Sequence, residues 1–146
     1  MIWGSQKMNG SVGHQARILI VDDEPVLAMD LEYMLVEAGF IIAGVTGNLQ
    51  RALSLVESGI CDAAVLDANL DGLSAAPIAN ALLARGLPFL VLSGYAPDQQ
   101  HEALRAGRCL QKPADSVHVI TVLNQILSEK KLRPEPGSVP QKILWV

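Results

Sequence analysis

The sequence predicts an α/β domain, an open parallel sheet covered by helices on both faces. Three observations lead there. Short apolar runs alternate with longer helical stretches along the 146 residues, the succession that right-handed β-α-β crossovers produce. The runs are nearly continuous rather than alternating with polar residues, as strands buried on both faces require. Four runs end at once in polar residues: Ile18-Leu19-Ile20-Val21 in Asp22-Asp23, Ala63-Ala64-Val65-Leu66 in Asp67, Phe89-Leu90-Val91-Leu92 in Ser93, and the weaker Arg108-Cys109-Leu110-Gln111 in Lys112.

Arg17 to Val21 is the first expected strand. Glu24 to Ala38 is the first helix, with Pro25 suited to its first turn and Gly39 to the left-handed position that ends it. Phe40 to Val45 follows as a strand, Leu49 to Ser58 as a helix ended by Gly59, and Ala63 to Leu66 as the third strand. Asn69 to Gly72 has turn chemistry. Ser74 to Ala84 reads as an Ala/Leu-rich helix, with Pro77 tolerable only in its first turn and Gly86 at its end. Phe89 to Leu92 is the fourth strand. Pro97 opens a short helix to Ala106, Gly107 closes it, Arg108 to Gln111 is the fifth strand, and Ser116 to Glu129 the last helix. Residues 1–15 are expected to be a flexible segment, 16–130 the domain, and 131–146 a Pro-rich tail without a fold of its own.

Composition narrows the function. Half of the residues are hydrophobic, enough for one core at this length and too few for two. The apolar segments are interrupted too often to offer the roughly 20 residues of a membrane helix. Met1 to Gln15 lacks the basic and apolar regions of a signal peptide, so a cytoplasmic location is expected. Cys61 and Cys109, with His14, His101 and His118 scattered, form neither a disulfide framework nor a zinc site. Residues 17–128 carry 6 basic and 13 acidic side chains, a net of −7. Such a body repels phosphate backbones, so no nucleic-acid partner is expected.

Singly, the four polar marks say little. Asp23 can cap the helix that follows it, and Asp67 or Ser93 can be ordinary turn residues. On adjacent parallel strands, however, their carboxyl ends lie together, where open α/β sheets place ligands. Asp22, Asp23 and Asp67 would then stand where bare carboxylates repel one another. A hard divalent cation such as Mg²⁺ offsets that charge with oxygen ligands, and Lys112 adds a fixed positive charge. The set suits phosphoryl transfer, which needs mainly positioning and neutralisation of charge. Asp67, in the middle, is the natural nucleophile, able to form an aspartyl phosphate. Ser93 supplies a hydroxyl for a phosphoryl oxygen, and Gly94 leaves an approach open for a bulky donor.

The motifs ILIVDDEP (Ile18 to Pro25), VLDANLDG (Val65 to Gly72), Leu92-Ser93-Gly94 and LQKP (Leu110 to Pro113), in this order and spacing, resemble those of receiver domains of the two-component response regulator family. The resemblance covers about residues 16 to 130. It implies a doubly wound, flavodoxin-like five-stranded sheet in order 2-1-3-4-5. It also implies Asp67 as phosphoacceptor, Asp22 and Asp23 as acids for Mg²⁺, a backbone carbonyl ligand from Asn69, and a cis Lys112-Pro113 bond. Family members take the phosphoryl group from a sensor histidine kinase or a histidine phosphotransfer protein and signal to a downstream protein. The expected form is a stand-alone, chemotaxis-regulator-like receiver in a phosphorelay: no turnover enzyme, but a phosphoacceptor that catalyses its own phosphorylation and dephosphorylation.

Two positions depart from the family pattern. Cys109 stands where the family usually has Tyr or Phe three residues before the lysine, so the relay from the Ser93 hydroxyl to a switching aromatic is altered. Tyr95 is a candidate substitute. Gly94-Tyr95 after the hydroxyl is similar to a subgroup of single-domain receivers found beside a distinct class of alphaproteobacterial sensor kinases.

On a helical wheel the first helix has two apolar stripes. Leu27, Leu31, Met34, Leu35 and Ala38 form one; Val26, Met29, Tyr33 and Val36 form another on roughly the opposite side. The second stripe suits a partner helix, a second copy of the chain in a homodimer, or the tail residues Ile143 to Val146. Two other functions compete with the receiver reading. An aspartyl-phosphate phosphatase is loosely mimicked by Asp67 and Asn69, although Asn69 is a poor proton donor. A phosphorylation-independent interaction module is kept open by Cys109.

Overall fold

All five expected strands are present in the computed structural model, which describes residues 16–94 and 102–131. They are β1 Arg17–Val21, β2 Ile41–Thr46, β3 Ala63–Asp67, β4 Phe89–Ser93 and β5 Arg108–Gln111. They form one sheet in order β2-β1-β3-β4-β5 with every neighbouring pair parallel, the order the resemblance implies. The helices are α1 Pro25–Glu37, α2 Leu49–Glu57, α3 Ala76–Ala84, α4 Glu102–Arg105 and α5 Ser116–Lys131.

Side-chain alternation along the strands divides the core between two faces. Ile18, Ile20, Ala63, Val65, Leu90 and Leu92 meet Leu31 and Leu35 of α1 and Val119, Leu123 and Ile126 of α5. Leu19, Val21, Ala64, Leu66, Phe89 and Val91 meet Ala52 and Val56 of α2, Ile78 and Leu82 of α3, and Leu104 of α4. Each fully buried Leu, Ile or Val contributes about 1.5–3 kcal/mol relative to exposure. Both faces of β3 and β4 are buried throughout, which accounts for their unbroken apolar sequences.

The helix stops have visible causes. Gly39 takes φ 100°, its amide bonds to the Val36 carbonyl, and the Phe40 amide reaches back to Leu35 at 3.0 Å. This pattern closes the last turn of a helix. The same bonds recur at Gly86 and Leu87. Gly107 follows the end of α4, its amide bonded to the Leu104 carbonyl at 3.2 Å, and a Cβ there would enter the Phe89 ring and stand 2.8 Å from the Phe89 carbonyl oxygen. Close packing on β4 excludes a side chain.

Several boundaries shift. α3 starts at Ala76 instead of Ser74, because Leu73–Ser74 pairs antiparallel with Asn69–Leu70 in a small ribbon. Asp71 and Gly72 turn that ribbon with φ of 52° and 87°, the conformation an Asp-Gly hairpin favours. Leu27 is not in the core: it is 39% exposed, and Ala28 is buried with Leu31 and Leu35. The expected start of α4 at Pro97 lies outside the described residues, as do the segments expected at 1–15 and beyond Lys131.

Candidate functional site

Sheet register builds the site as a staircase. Val21 of β1 pairs with Leu66 of β3, Asp67 of β3 with Leu92 of β4, and Ser93 of β4 with Gln111 of β5. Asp22, Asp67, Ser93 and Lys112 therefore emerge along one edge of the sheet, at the carboxyl ends of four adjacent strands. Backbone bonds lock the steps: the Asp22 amide donates to Thr46 at 3.0 Å, the Ala68 amide to Leu92 at 3.0 Å, and the Lys112 amide to Ser93 at 2.7 Å.

The three acids converge. Asp22, Asp23 and Asp67 each offer a carboxylate oxygen, and these oxygens lie within 4.8 Å of one another. Asp22 and Asp67 are buried and Asp23 half-buried. The N-cap of α1 is Glu24, so Asp23 is not the capping residue. The Asp22 Oδ1 instead accepts from the Glu24 amide at 2.9 Å.

Lys112 Nζ stands 3.4 Å from Asp67 Oδ1, which also accepts from the Asn69 amide at 3.3 Å. Burial pushes the Asp67 carboxyl above its ordinary pKa, against the opposing pull of that amide and of Lys112. Burial likewise raises Asp22, opposed by the Glu24 amide and Lys112. Loss of water around the carboxylates is the main cause of both raised values, and repulsion between the acids adds a smaller part.

The donor set fits a hard cation. Mg²⁺ takes a few carboxylate oxygens and keeps several waters, and three such oxygens are gathered here. Asn69 is exposed, and its side-chain oxygen accepts from the Gly72 amide at 2.8 Å. That bond holds the side chain in the ribbon turn.

Ser93 is 2% exposed at the end of β4. Among the described residues, a Cβ on Gly94 would meet nothing within 4 Å. The Lys112–Pro113 bond is cis, as the resemblance implies. Cys109 pairs with Val91 in the sheet and packs half-buried against the α2/α3/α4 core. Its Sγ lies 3.6 Å from the Leu104 carbonyl, and burial pushes its thiol pKa up. Cys109 thus occupies the strand as a small packing residue. Tyr95 lies outside the described residues. On α1, Val26, Met29, Tyr33 and Val36 are 71%, 67%, 69% and 52% exposed, so that stripe stands apart from the core.

Sequence reasoning missed Thr46 and Gly47. The buried Thr46 accepts the Asp22 amide through its carbonyl and the Asn48 amide through Oγ1 at 3.1 Å. A Cβ on Gly47 would stand 2.6 Å from the Asp23 Cα and 3.0 Å from the Asp22 carbonyl oxygen. The absence of a side chain at Gly47 lets the β2–α2 loop press against the acid pair. In sequence, Gly47 before the N-cap Asn48 looks like any turn glycine.

The family model for the response regulator receiver domain matches residues 18–124. The positive transcription regulator BvgA of Bordetella pertussis is 33% identical over 100 residues, covering 67% of this chain and 46% of that protein. The transcriptional regulatory protein PdtaR of Mycobacterium tuberculosis is 37% identical over 84 residues, covering 55% of this chain and 40% of its own. The chain thus spans less than half the length of these two relatives. Among solved structures, SdrG from Sphingomonas melonis Fr1 is 38% identical with a TM-score of 0.67, over 78% of this chain and 98% of that one. The response regulator PhyR from Brucella abortus is 25% identical with a TM-score of 0.70, over 87% of this chain and 54% of that one. With the strand order, the three convergent acids and the lysine at the end of β5, these matches make the chain a member of the response regulator receiver domain family.

Proposed function

We propose that this chain accepts a phosphoryl group on Asp67, with Mg²⁺ bound by Asp22, Asp23, Asp67 and the Asn69 carbonyl. The observation that carries the reading is the convergence of three carboxylate oxygens within 4.8 Å, with Lys112 3.4 Å from the central acid. The donor is a phosphohistidine on a sensor kinase or phosphotransfer protein.

In the transfer, an Asp67 carboxylate oxygen forms a bond to phosphorus while the P–N bond breaks and its electron pair leaves with the imidazole. Asp67 Oδ1 is tied to the Asn69 amide and Lys112, which leaves the other oxygen for attack. Mg²⁺ when bound supplies charge neutralisation at the phosphoryl oxygens. Lys112 pairs with a second oxygen, and the Ser93 hydroxyl donates to a third. Burial favours the protonated form of Asp67, and a cation would favour the ionised form that attacks.

The stripe of Val26, Met29, Tyr33 and Val36 is the surface that faces the donor. Phosphorylation signals by shifting a two-state surface equilibrium that a downstream protein reads, with Ser93, Tyr95 and Cys109 as the switch positions. Incubation with a small phosphodonor and Mg²⁺ tests the chemistry by intact mass. A gain of one phosphoryl group that disappears in Asp67→Asn is expected. Continuous turnover of a phosphorylated metabolite would instead favour a phosphatase, and no gain from either a small donor or a kinase would leave only an interaction module.

A further inference from the structure

We infer that the tail segment Lys142-Ile143-Leu144-Trp145-Val146 docks on Val26, Met29, Tyr33 and Val36 when no other partner holds that face. Four arguments support this.

The first is position. The end of α1 and the end of α5 both lie near the start of β1. The Ile41 amide, just past α1, donates to the Ala16 carbonyl at 2.9 Å. Lys130, at the end of α5, lines the same cleft as Arg17 and Asp62. The tail therefore departs next to the carboxyl end of α1.

The second is reach. α1 has 13 residues and is about 20 Å long at 1.5 Å per residue. Residues 132–141, with Pro134, Pro136 and Pro140, span roughly 31 Å at 3.1 Å per residue when extended. The apolar run at 143–146 can thus be laid anywhere along the helix.

The third is area. Four side chains with these exposures present on the order of 400–500 Å² of mainly apolar surface, a patch that four apolar residues can cover. The fourth is charge. Glu24 at the N-cap of α1 and Asp30, Glu32 and Glu37 within it are exposed around the stripe, and Lys142 immediately precedes the apolar run.

A tether of this length gives a local concentration in the millimolar range, so a millimolar intrinsic affinity holds the tail down about half of the time. The docked tail competes with any donor that uses α1. That consequence rests on the function proposed above; the docking itself does not.

Trp145 is the reporter. The chain has two tryptophans, so Trp3→Phe in the full chain leaves one. Its acrylamide quenching should be about twofold weaker than that of a free peptide of residues 132–146, and should rise to the peptide's value in Met29→Asp and in Tyr33→Asp. Circular dichroism confirms that both variants fold. Quenching equal to the peptide's in the parent chain overturns the proposal. So does shielding that survives both α1 variants, or shielding that depends on protein concentration, which would mark a second copy. If docking holds, Leu144→Asp should raise phosphotransfer from a histidine donor about twofold without changing small-donor phosphorylation. Loss of quenching contrast refutes the tail contact, whereas loss of all phosphorylation refutes the receiver reading and leaves the fluorescence result untouched.

Discussion

Replacing Gly47 by alanine perturbs the acid pair without touching an acid. The new Cβ would stand 2.6 Å from the Asp23 Cα, against the 3.5–4.0 Å of touching carbons, so one backbone must yield by about 1 Å. The nearest obstacles are backbone atoms of Asp22 and Asp23, not the flexible end of a side chain. Overpacking of this kind costs about 1–3 kcal/mol, several degrees of melting temperature in a domain of this size. A 1 Å displacement is also large for Mg²⁺, which demands near-ideal octahedral ligands at about 2.0–2.1 Å. Misplacement on that scale reduces a positioned reaction by up to about 100-fold.

The assay is phosphorylation by a small donor across a Mg²⁺ titration, followed by intact mass, with thermal melts in parallel. Gly47→Ala should need at least about tenfold more Mg²⁺ for half-maximal rate. Gly44→Ala is the control, because its Cβ would meet only the side-chain ends Leu55 Cδ1 at 3.3 Å and Leu19 Cδ1 at 3.5 Å. It should change stability while leaving the Mg²⁺ requirement alone. A Gly47→Ala protein that melts lower but titrates with Mg²⁺ like the parent would refute the argument that the loop positions the acids.

Further tests follow from the electrostatics and surfaces. Without Mg²⁺, the raised carboxyls of Asp22 and Asp67 contribute stability below the unfolded value near pH 4, and it is lost as pH rises through their native values. Mg²⁺ should offset that loss, so the increment it adds to the urea midpoint grows with pH; a pH-independent increment counts against the site. Asp62 behaves oppositely. Burial raises its pKa, but hydrogen bonds from the Arg17 side chain and amide outweigh this and hold it low. Its contribution is present above pH 4 or so and lost as pH falls through the native value. Arg17→Met keeps the amide bond to Asp62 but loses the side-chain bonds, so it should shrink that acid-sensitive part, read as a flatter urea midpoint on acidification. Val26→Asp should slow phosphotransfer from a protein donor and spare small-donor labelling; equal loss with both would remove α1 from the donor interface.

Much of this architecture was legible along the chain. Continuous apolar runs announced β1, β3 and β4 because both faces of those strands are covered, and Gly39, Gly59 and Gly86 marked helix ends because their positive φ is open to glycine at little cost. The polar residues closing the runs identified Asp22, Asp67, Ser93 and Lys112, since a parallel sheet brings its carboxyl ends to one edge whatever the loops do. Tertiary structure decided the rest. Leu27 proved exposed and Ala28 buried, because a wheel gives the angle between residues but not the direction of the core. Ser74 left its expected helix for a ribbon that only the turn at Asp71 and Gly72 creates. Gly47 and Gly107 look alike in sequence as loop glycines, yet one accommodates the acid pair and the other the Phe89 ring. Those roles depend on residues distant along the chain. Local periodicity reports which side chains avoid water, whereas the closeness of two backbones and the charge left in a buried cluster exist only once the strands are paired.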